Sequence, residues 1–235
     1  MYKKIGIIVA DDGEYKPLIK KITNAENILF FGRDCYKFYV NDIQIYALLC
    51  GIGKVNSAAA AMYLYSIGCE AILNFGYSGG ISGVKKGDIV INNRFVEHDF
   101  DLTCLGYKRC EKPGQKYIYD SDKSLTQLLS KLCPNAKLGL AVSGDCFINS
   151  NQLRDNLKNT FGAISCDMET AAIASVCSQT GMAFASVRQI SDDAGDDADS
   201  SYSDVAYSDD IEPADIILKL LKLLSDGGNY EEKEN

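Results

Sequence analysis

The chain has 235 residues, 46% apolar and 10% aromatic, enough to bury a full core and far from a disordered composition. Its Asp and Glu number 32 against 24 Lys and Arg, and a net charge of −8 argues against nucleic acid or an anionic membrane as partner. Nine cysteines lie scattered, with no CxxC pair and no zinc-site spacing, so they read as reduced, partly core-packed thiols of a soluble cytoplasmic protein.

In chain order, the apolar run 5–10 predicts a short buried strand. It is too short for a signal-peptide core, and no run reaches transmembrane length. The acidic turn Asp11-Asp12-Gly13-Glu14 and a helix over about 15–22 follow. Residues 28–50 read as strands, with 36–40 and 43–50 paired as a hairpin around Asn41-Asp42. Gly51-Ile52-Gly53-Lys54 leads into an alanine-rich helix over 55–67. A buried strand over 71–75 is closed by Gly76-Tyr77-Ser78-Gly79-Gly80, and a turn at 85–88 enters a strand over 89–96. The irregular stretch 97–120 is long enough to be functional or covered by a partner. Then come a helix over 121–132, a strand over 137–143, a helix over 151–160 and a short run at 163–165. Cys166-Asp167-Met168-Glu169 opens a helix to about residue 179, and 184–191 is the last strand. Beyond an Asp-rich loop over 192–210, a C-terminal helix places Ile216, Ile217, Leu220, Leu221 and Leu224 on one face. This alternation predicts an α/β class: one domain over 1–226, three α/β/α layers around a central mixed twisted sheet, then a disordered acidic tail over 227–235.

Ligands of open α/β sheets sit at the carboxyl ends of the strands. Those ends carry Asp11-Asp12-Gly13-Glu14, Gly51-Ile52-Gly53, Gly76-Tyr77-Ser78-Gly79, Gly144-Asp145-Cys146-Phe147-Ile148, Asp167-Met168-Glu169 and Ser191-Asp192. Glycine allows backbone to approach a ligand, and the carboxylates offer acceptors or protons. Arg188 is the one cation near this set, so the mouth suits a neutral, hydroxyl-rich ligand such as a nucleoside better than a phosphate. Neither a P-loop nor a GxGxxG turn is present. His98, beside Asp99, reads as a hydrogen-bonded structural residue rather than a metal ligand, and no metal or cofactor is expected. The Asp-rich loop lacks the EF-hand order and reads as solvated apart from Asp192. Asp167 is placed to cap the following helix by accepting from the Thr170 amide. Glu169 reads either as a dipole partner in the first helical turn or as a pocket carboxylate.

The ordered set Gly6-Ile7-Ile8 to Glu14, Cys50-Gly51-Ile52-Gly53-Lys54-Val55, Asn74-Phe75-Gly76-Tyr77-Ser78-Gly79-Gly80 and Gly87-Asp88-Ile89-Val90 resembles a known family. So do His98-Asp99-Phe100-Asp101-Leu102-Thr103, Ser143-Gly144-Asp145-Cys146-Phe147-Ile148-Asn149, Asp167-Met168-Glu169 and Arg188-Gln189-Ile190-Ser191-Asp192. The resemblance is to the 5′-methylthioadenosine/S-adenosylhomocysteine nucleosidases of the nucleoside phosphorylase superfamily, and it runs to about Tyr202. It implies a nucleoside phosphorylase-like fold and hydrolysis of the bond between adenine and a 5′-thio-substituted ribose. Asp192, oriented by Ser191, would protonate adenine N7, and Glu14 would activate water. Glu169 would accept from the ribose hydroxyls while Met168 packs along the sugar. Phe147 would stack on the purine, the Ile148 backbone would read its polar edge, and Ile52 would line the 5′-thio pocket. Tyr77, Ser78, Gly79 and Arg188 complete the binding candidates at the strand ends. In the family a second subunit closes that pocket, which here implies a homodimer in which the 97–120 loop, with Leu102, Leu105 and Pro113, reaches the neighbour's site. Tyr107 and Tyr202 are further candidates. Three residues depart from the family pattern: Asp11, where an apolar residue is usual; Tyr77, in place of a small Ser or Thr; and Leu105, where an aromatic is common. The departures leave open another purine nucleoside or a futalosine-like substrate, beside a phosphorolytic enzyme and a silent nucleoside binder.

Overall fold

A computed structural model of the chain describes residues 2–205 and 211–227. Its elements are β1 (Lys4–Val9), α1 (Asp12–Lys20), β2 (Glu26–Phe30), β3 (Arg33–Val40), β4 (Ile43–Leu49), α2 (Lys54–Ser66), β5 (Ala71–Gly80) and β6 (Ile89–Glu97). A 3-10 turn (Thr103–Leu105) precedes β7 (Ile118–Asp120), α3 (Lys123–Leu132), β8 (Lys137–Ser143), α4 (Asn151–Phe161) and β9 (Ser165–Asp167). Then come α5 (Thr170–Thr180), β10 (Ala183–Asp192), α6 (Ala198–Ser203) and α7 (Glu212–Ser225).

The strands form one mixed sheet. β5 pairs in parallel with β1 and β10, and antiparallel with β9. The path β10-β6-β8-β9-β5 closes on itself through the β10–β5 pairing, while β1, β4, β3 and β2 extend outward from β5. The hairpin is as predicted, with Val40 opposite Ile43.

Side-chain alternation assigns the helices to faces. Ile5, Ile7 and Val9 pack with Tyr15 and Leu18 of α1, Leu125 and Leu129 of α3, and Ile217, Leu220 and Leu221 of α7. Ile8 points the other way, into a cluster with Ala60, Ala61 and Leu64 of α2 and Ala171, Ile173 and Ala174 of α5. Helices therefore cover both faces, the three-layer arrangement expected.

Several boundaries differ from the sequence reading, each for a local reason. α1 starts at Asp12 rather than near residue 15, because Asp11 at its N-cap accepts the Gly13 amide at 2.7 Å. β5 does not stop at Phe75; Gly76 to Gly80 continue as strand because β10 and β9 offer backbone partners along that length. The Asp-rich stretch is not all loop, since α6 lies within it. Its residues 206–210, and residues 228–235 of the predicted tail, lie outside the described residues. No helix among the described residues is long and apolar enough to cross a membrane. All nine cysteines are free, and six of them are buried.

Candidate active site

The glycine-rich half of β5 is the floor on which the site is built. Gly76 lies opposite Arg188 of β10, and Gly79 opposite Asp192. A Cβ on Gly76 would stand 2.5 Å from Glu14 Oε1 and 2.6 Å from Arg188 Nη1. On Gly79 it would meet Cys166 Sγ at 2.9 Å and Asp192 Oδ1 at 3.1 Å. Only bare backbone leaves room for charged groups to lie across the strand. At roughly 3.3 Å per residue, these two stations are about 10 Å apart along the strand.

Glu14 sits in the first turn of α1 and is buried. Its Oε1 accepts the Tyr77 amide at 2.6 Å, while Oε2 has no hydrogen-bond partner within the protein. Burial pushes its carboxyl up to about 8; the Arg188 guanidinium and the Tyr77 amide oppose that rise, and Glu169 and Asp11 add to it.

Glu169 stands at the N-cap position of α5, one residue before the first turn, yet its side chain does not cap the helix. Asp167 does so instead, accepting the amides of Glu169 and Thr170 at 3.0 Å each. The Glu169 carboxylate is thereby free to cross to the glycine loop before α2, where Oε1 accepts the Gly53 amide at 2.9 Å. Burial lifts it to about 7, with Arg188 opposing and Asp167 reinforcing.

Arg188 is fully buried between these carboxylates. Nη1 donates to the Tyr77 carbonyl at 3.1 Å, and Nη2 lies 3.7 Å from Asp167 Oδ2 and 3.8 Å from Glu169 Oε2. At the other station, Asp192 Oδ2 accepts the Ser191 hydroxyl at 2.6 Å and Oδ1 accepts the Ala194 amide at 2.8 Å. Burial raises the Asp192 carboxyl above the ordinary range, against the pull of those two donors.

These groups open into a single cavity of ≈ 150 Å³. Five carboxylates line it (Asp11, Glu14, Asp167, Glu169 and Asp192) against one guanidinium, Arg188. Its apolar wall includes Ile52, Phe147, Ile148, Met168, Tyr77 and Tyr202. The Tyr202 ring meets Tyr77 edge-on at 6.3 Å and Phe147 at 5.8 Å. Phe147, 42% exposed, and Ile52, 54% exposed, mark the open side.

Residues 4–222 match the family model described as the phosphorylase superfamily. A relative from Staphylococcus carnosus (strain TM300), named 5′-methylthioadenosine/S-adenosylhomocysteine nucleosidase, is 33% identical over 227 residues, 94% of this chain and 100% of its own length. The chain belongs to this nucleosidase family of the phosphorylase superfamily. Among solved structures, the Helicobacter pylori nucleosidase of the same name, with butyl-thio-DADMe-Immucillin-A, superposes with a TM-score of 0.89 at 26% identity, covering 93% of this chain and 97% of that one. The futalosine hydrolase of Helicobacter pylori strain 26695 is similar at TM-score 0.87 and 26% identity, over 96% and 98% of the two chains.

Most site residues expected from the family resemblance meet in this cavity, including Ser78, Gly79 and Ser191. Leu102, Leu105, Tyr107 and Pro113 do not line it; Leu105 and Tyr107 are exposed on the 97–120 loop. That loop is tied down beside the site. Lys54 Nζ contacts Asp99 at 2.6 Å and Glu97 at 3.5 Å, Glu97 also pairs with Lys112, and the Asp145 amide donates to Asp99 at 3.0 Å. His98 is buried against Gly144 with Nε2 unpartnered, and burial lowers its pKa from the ordinary imidazole value.

The sequence reading did not place Ala10, Cys146 or Cys166 in the wall, nor did it find the Gly53 and Ala194 amides. Main-chain donors leave no mark on residue type. Cys146 could have been inferred from its position next to Phe147.

Proposed function

We propose that this enzyme hydrolyses the N-glycosidic bond of methylthioadenosine and S-adenosylhomocysteine, releasing adenine and the 5′-thio-substituted ribose. One observation carries the reading: Glu14 and Asp192 occupy separate stations on β5 within one cavity that is rich in carboxylates. Cleavage sends the C1′–N9 electron pair to the base, and a protonated Asp192 gives its proton to N7 of that leaving group. Water adds to C1′ and loses a proton to the ionised form of Glu14, whose Oε2 has no partner within the protein. The positive charge that develops on the ribose is stabilised by the surrounding carboxylates. Glu169 has one oxygen engaged by Gly53 and turns the other to the ribose hydroxyls. Phe147 offers its face to the purine, and Met168 packs along the sugar.

Water rather than phosphate is the nucleophile in this reading. A phosphate dianion would enter a wall of five carboxylates with a single guanidinium already surrounded by three of them.

The site's open side supports a homodimer. α2 exposes Val55, Met62 and Tyr65, spaced at helical repeats, next to Ile52, and the nearby loop exposes Leu105 and Tyr107. A second copy covers this surface and brings Leu102, Leu105, Tyr107 and Pro113 to its neighbour's pocket. Nine free thiols support a cytoplasmic setting.

The test is to incubate the protein with methylthioadenosine, S-adenosylhomocysteine, adenosine, inosine and futalosine, with and without phosphate, and to chromatograph the free base. Adenine from the thio-nucleosides without phosphate is expected. A requirement for phosphate, or release from futalosine alone, would overturn the assignment. Asp192→Asn and Glu14→Gln are each expected to remove most of the activity, and sedimentation should give twice the mass of the chain.

A further inference from the structure

The turn after β10 is held by a helix that contributes nothing to the cavity. Ala194, whose amide donates to Asp192 Oδ1, has φ of 51°, a left-handed backbone that a residue with a Cβ adopts only when its surroundings impose it. The residues on either side of it are tied to the first turn of α4. Asp196 accepts the Asn151 amide through Oδ1 at 3.1 Å and the Asn151 side-chain amide through Oδ2 at 2.5 Å. Arg154 Nη1 donates to both the carbonyl and the Oδ2 of Asp193 at 3.3 Å. Asp193 Oδ1 in turn accepts the Gly195 amide at 3.1 Å. The nominal N-cap of α4, Ser150, makes no side-chain cap, so Asp196 supplies that acceptor from 45 residues away.

We propose that Arg154 and the Asn151–Asp196 pair form a positioning latch that holds Ala194 in its strained conformation and so keeps its amide on the catalytic Asp192. This rests on Asp192 being the general acid. Without the latch, Ala194 relaxes to negative φ and its amide leaves Oδ1. Asp192 then loses a donor that favours its charged form and holds its proton more tightly. The other groups facing Asp192 lie on elements other than those of the latch: Ser191 on β10, Cys166 on β9, and Lys86 on the turn before β6, whose Nζ is bound to the Ser201 carbonyl at 2.8 Å. Asp193 beside it is freed when Arg154 is lost, and its charge acts in the same direction.

The test uses Arg154→Ala and Asp196→Ala in the full chain, with Asp196→Asn as the conservative control that keeps an acceptor for the Asn151 amide. Each alanine variant is expected to lower kcat about tenfold, to change KM by less than about twofold, and to move the alkaline limb of the kcat–pH profile upward. Asp196→Asn should recover most of the loss. The decisive arm is Arg154→Ala combined with Ala194→Gly. Glycine adopts positive φ without strain, so the double variant should regain much of the lost kcat. Wild-type kcat in both alanine variants would overturn the latch, as would a loss with an unmoved alkaline limb and no rescue by Ala194→Gly. Asp192→Asn is assayed alongside: if it keeps activity, the acid assignment and the latch fall together, whereas if it is dead and the latch variants are normal, only the latch falls.

Discussion

Glu14→Gln separates what the putting of a carboxylate under α1 does for stability from what it does for catalysis. The native carboxyl is held near 8 against an ordinary value of 4.5. Between those two pH values the folded protein keeps a proton on Glu14 that the unfolded chain has already released, so stability falls as pH rises through the window. At about 1.36 kcal/mol per unit, a shift of roughly 3.5 units sets a ceiling near 5 kcal/mol, and access of solvent to the cavity brings the expectation to about 2–4 kcal/mol. Glutamine keeps an acceptor for the Tyr77 amide but cannot ionise, so it escapes this loss. The variant should melt close to wild type near pH 4.5 and progressively above it as pH rises to 8.5. At about 2–4 °C per kcal/mol for a chain of this size, the gap should reach roughly 5–15 °C. Glu169 ionises in both proteins and largely cancels in the difference. The assay is a pair of melting series over pH 4.5–9, read as the difference between variant and wild type. A difference that stays flat across the range would refute the claim that burial holds a proton on Glu14. Activity should be lost throughout, so the more stable protein is the dead one.

Arg188→Gln removes the one guanidinium among three buried carboxylates; it should move the acid limb of kcat/KM upward by about a unit or more, and an unmoved limb would contradict its part in opposing the burial-driven rise of the Glu14 carboxyl. Gly76→Ala inserts a methyl at 2.5 Å from Glu14 Oε1 and should lower kcat about 100-fold or more, with near-normal kinetics refuting the close packing of carboxylate on strand. Tyr77→Ser removes the edge-on contact with Tyr202 and should raise KM for methylthioadenosine by about 2–10-fold, the equivalent of one aromatic pair, as measured by adenine release.

Much of the site could be read from the sequence because its chemistry sits where short buried strands end. Ile5 to Val9 reads as a short buried strand, and Glu14 follows it within one turn of helix. The same holds for Asp192 at the end of β10 and for Asp167 and Glu169 between β9 and α5. What could not be read was long-range. The ring in the sheet depends on β10 pairing with β5, which joins Ala183 to Ala71, and no local periodicity encodes that choice. Gly76 to Gly80 were expected to end a strand because glycine disfavours one locally; two flanking strands override that preference. The 97–120 loop was expected to reach a neighbouring subunit's pocket, and within one chain its Leu105 and Tyr107 are exposed.

Asp167 and Glu169 resolve the double reading of their motif by dividing it. A single carboxylate at a helix start could serve the helix amides or a ligand, but each oxygen accepts in a limited number of directions. Asp167 takes the Glu169 and Thr170 amides on Oδ1 and the Thr170 hydroxyl on Oδ2 at 2.6 Å, while the Ser143 hydroxyl takes the Ala171 amide at 2.9 Å. The Glu169 carboxylate is left with no duty to its own helix, whose Ala172 and Ile173 amides go to the Glu169 carbonyl, and it is bound instead to an amide more than a hundred residues earlier in the chain, at Gly53. That tie joins the glycine loop before α2 to α5, the two helices that share one face of the sheet. Two acidic residues are therefore needed where capping alone would need one. The spacing Asp-x-Glu lets the first hold the helix while the second is aimed into the cavity, beside the one guanidinium that offsets its charge.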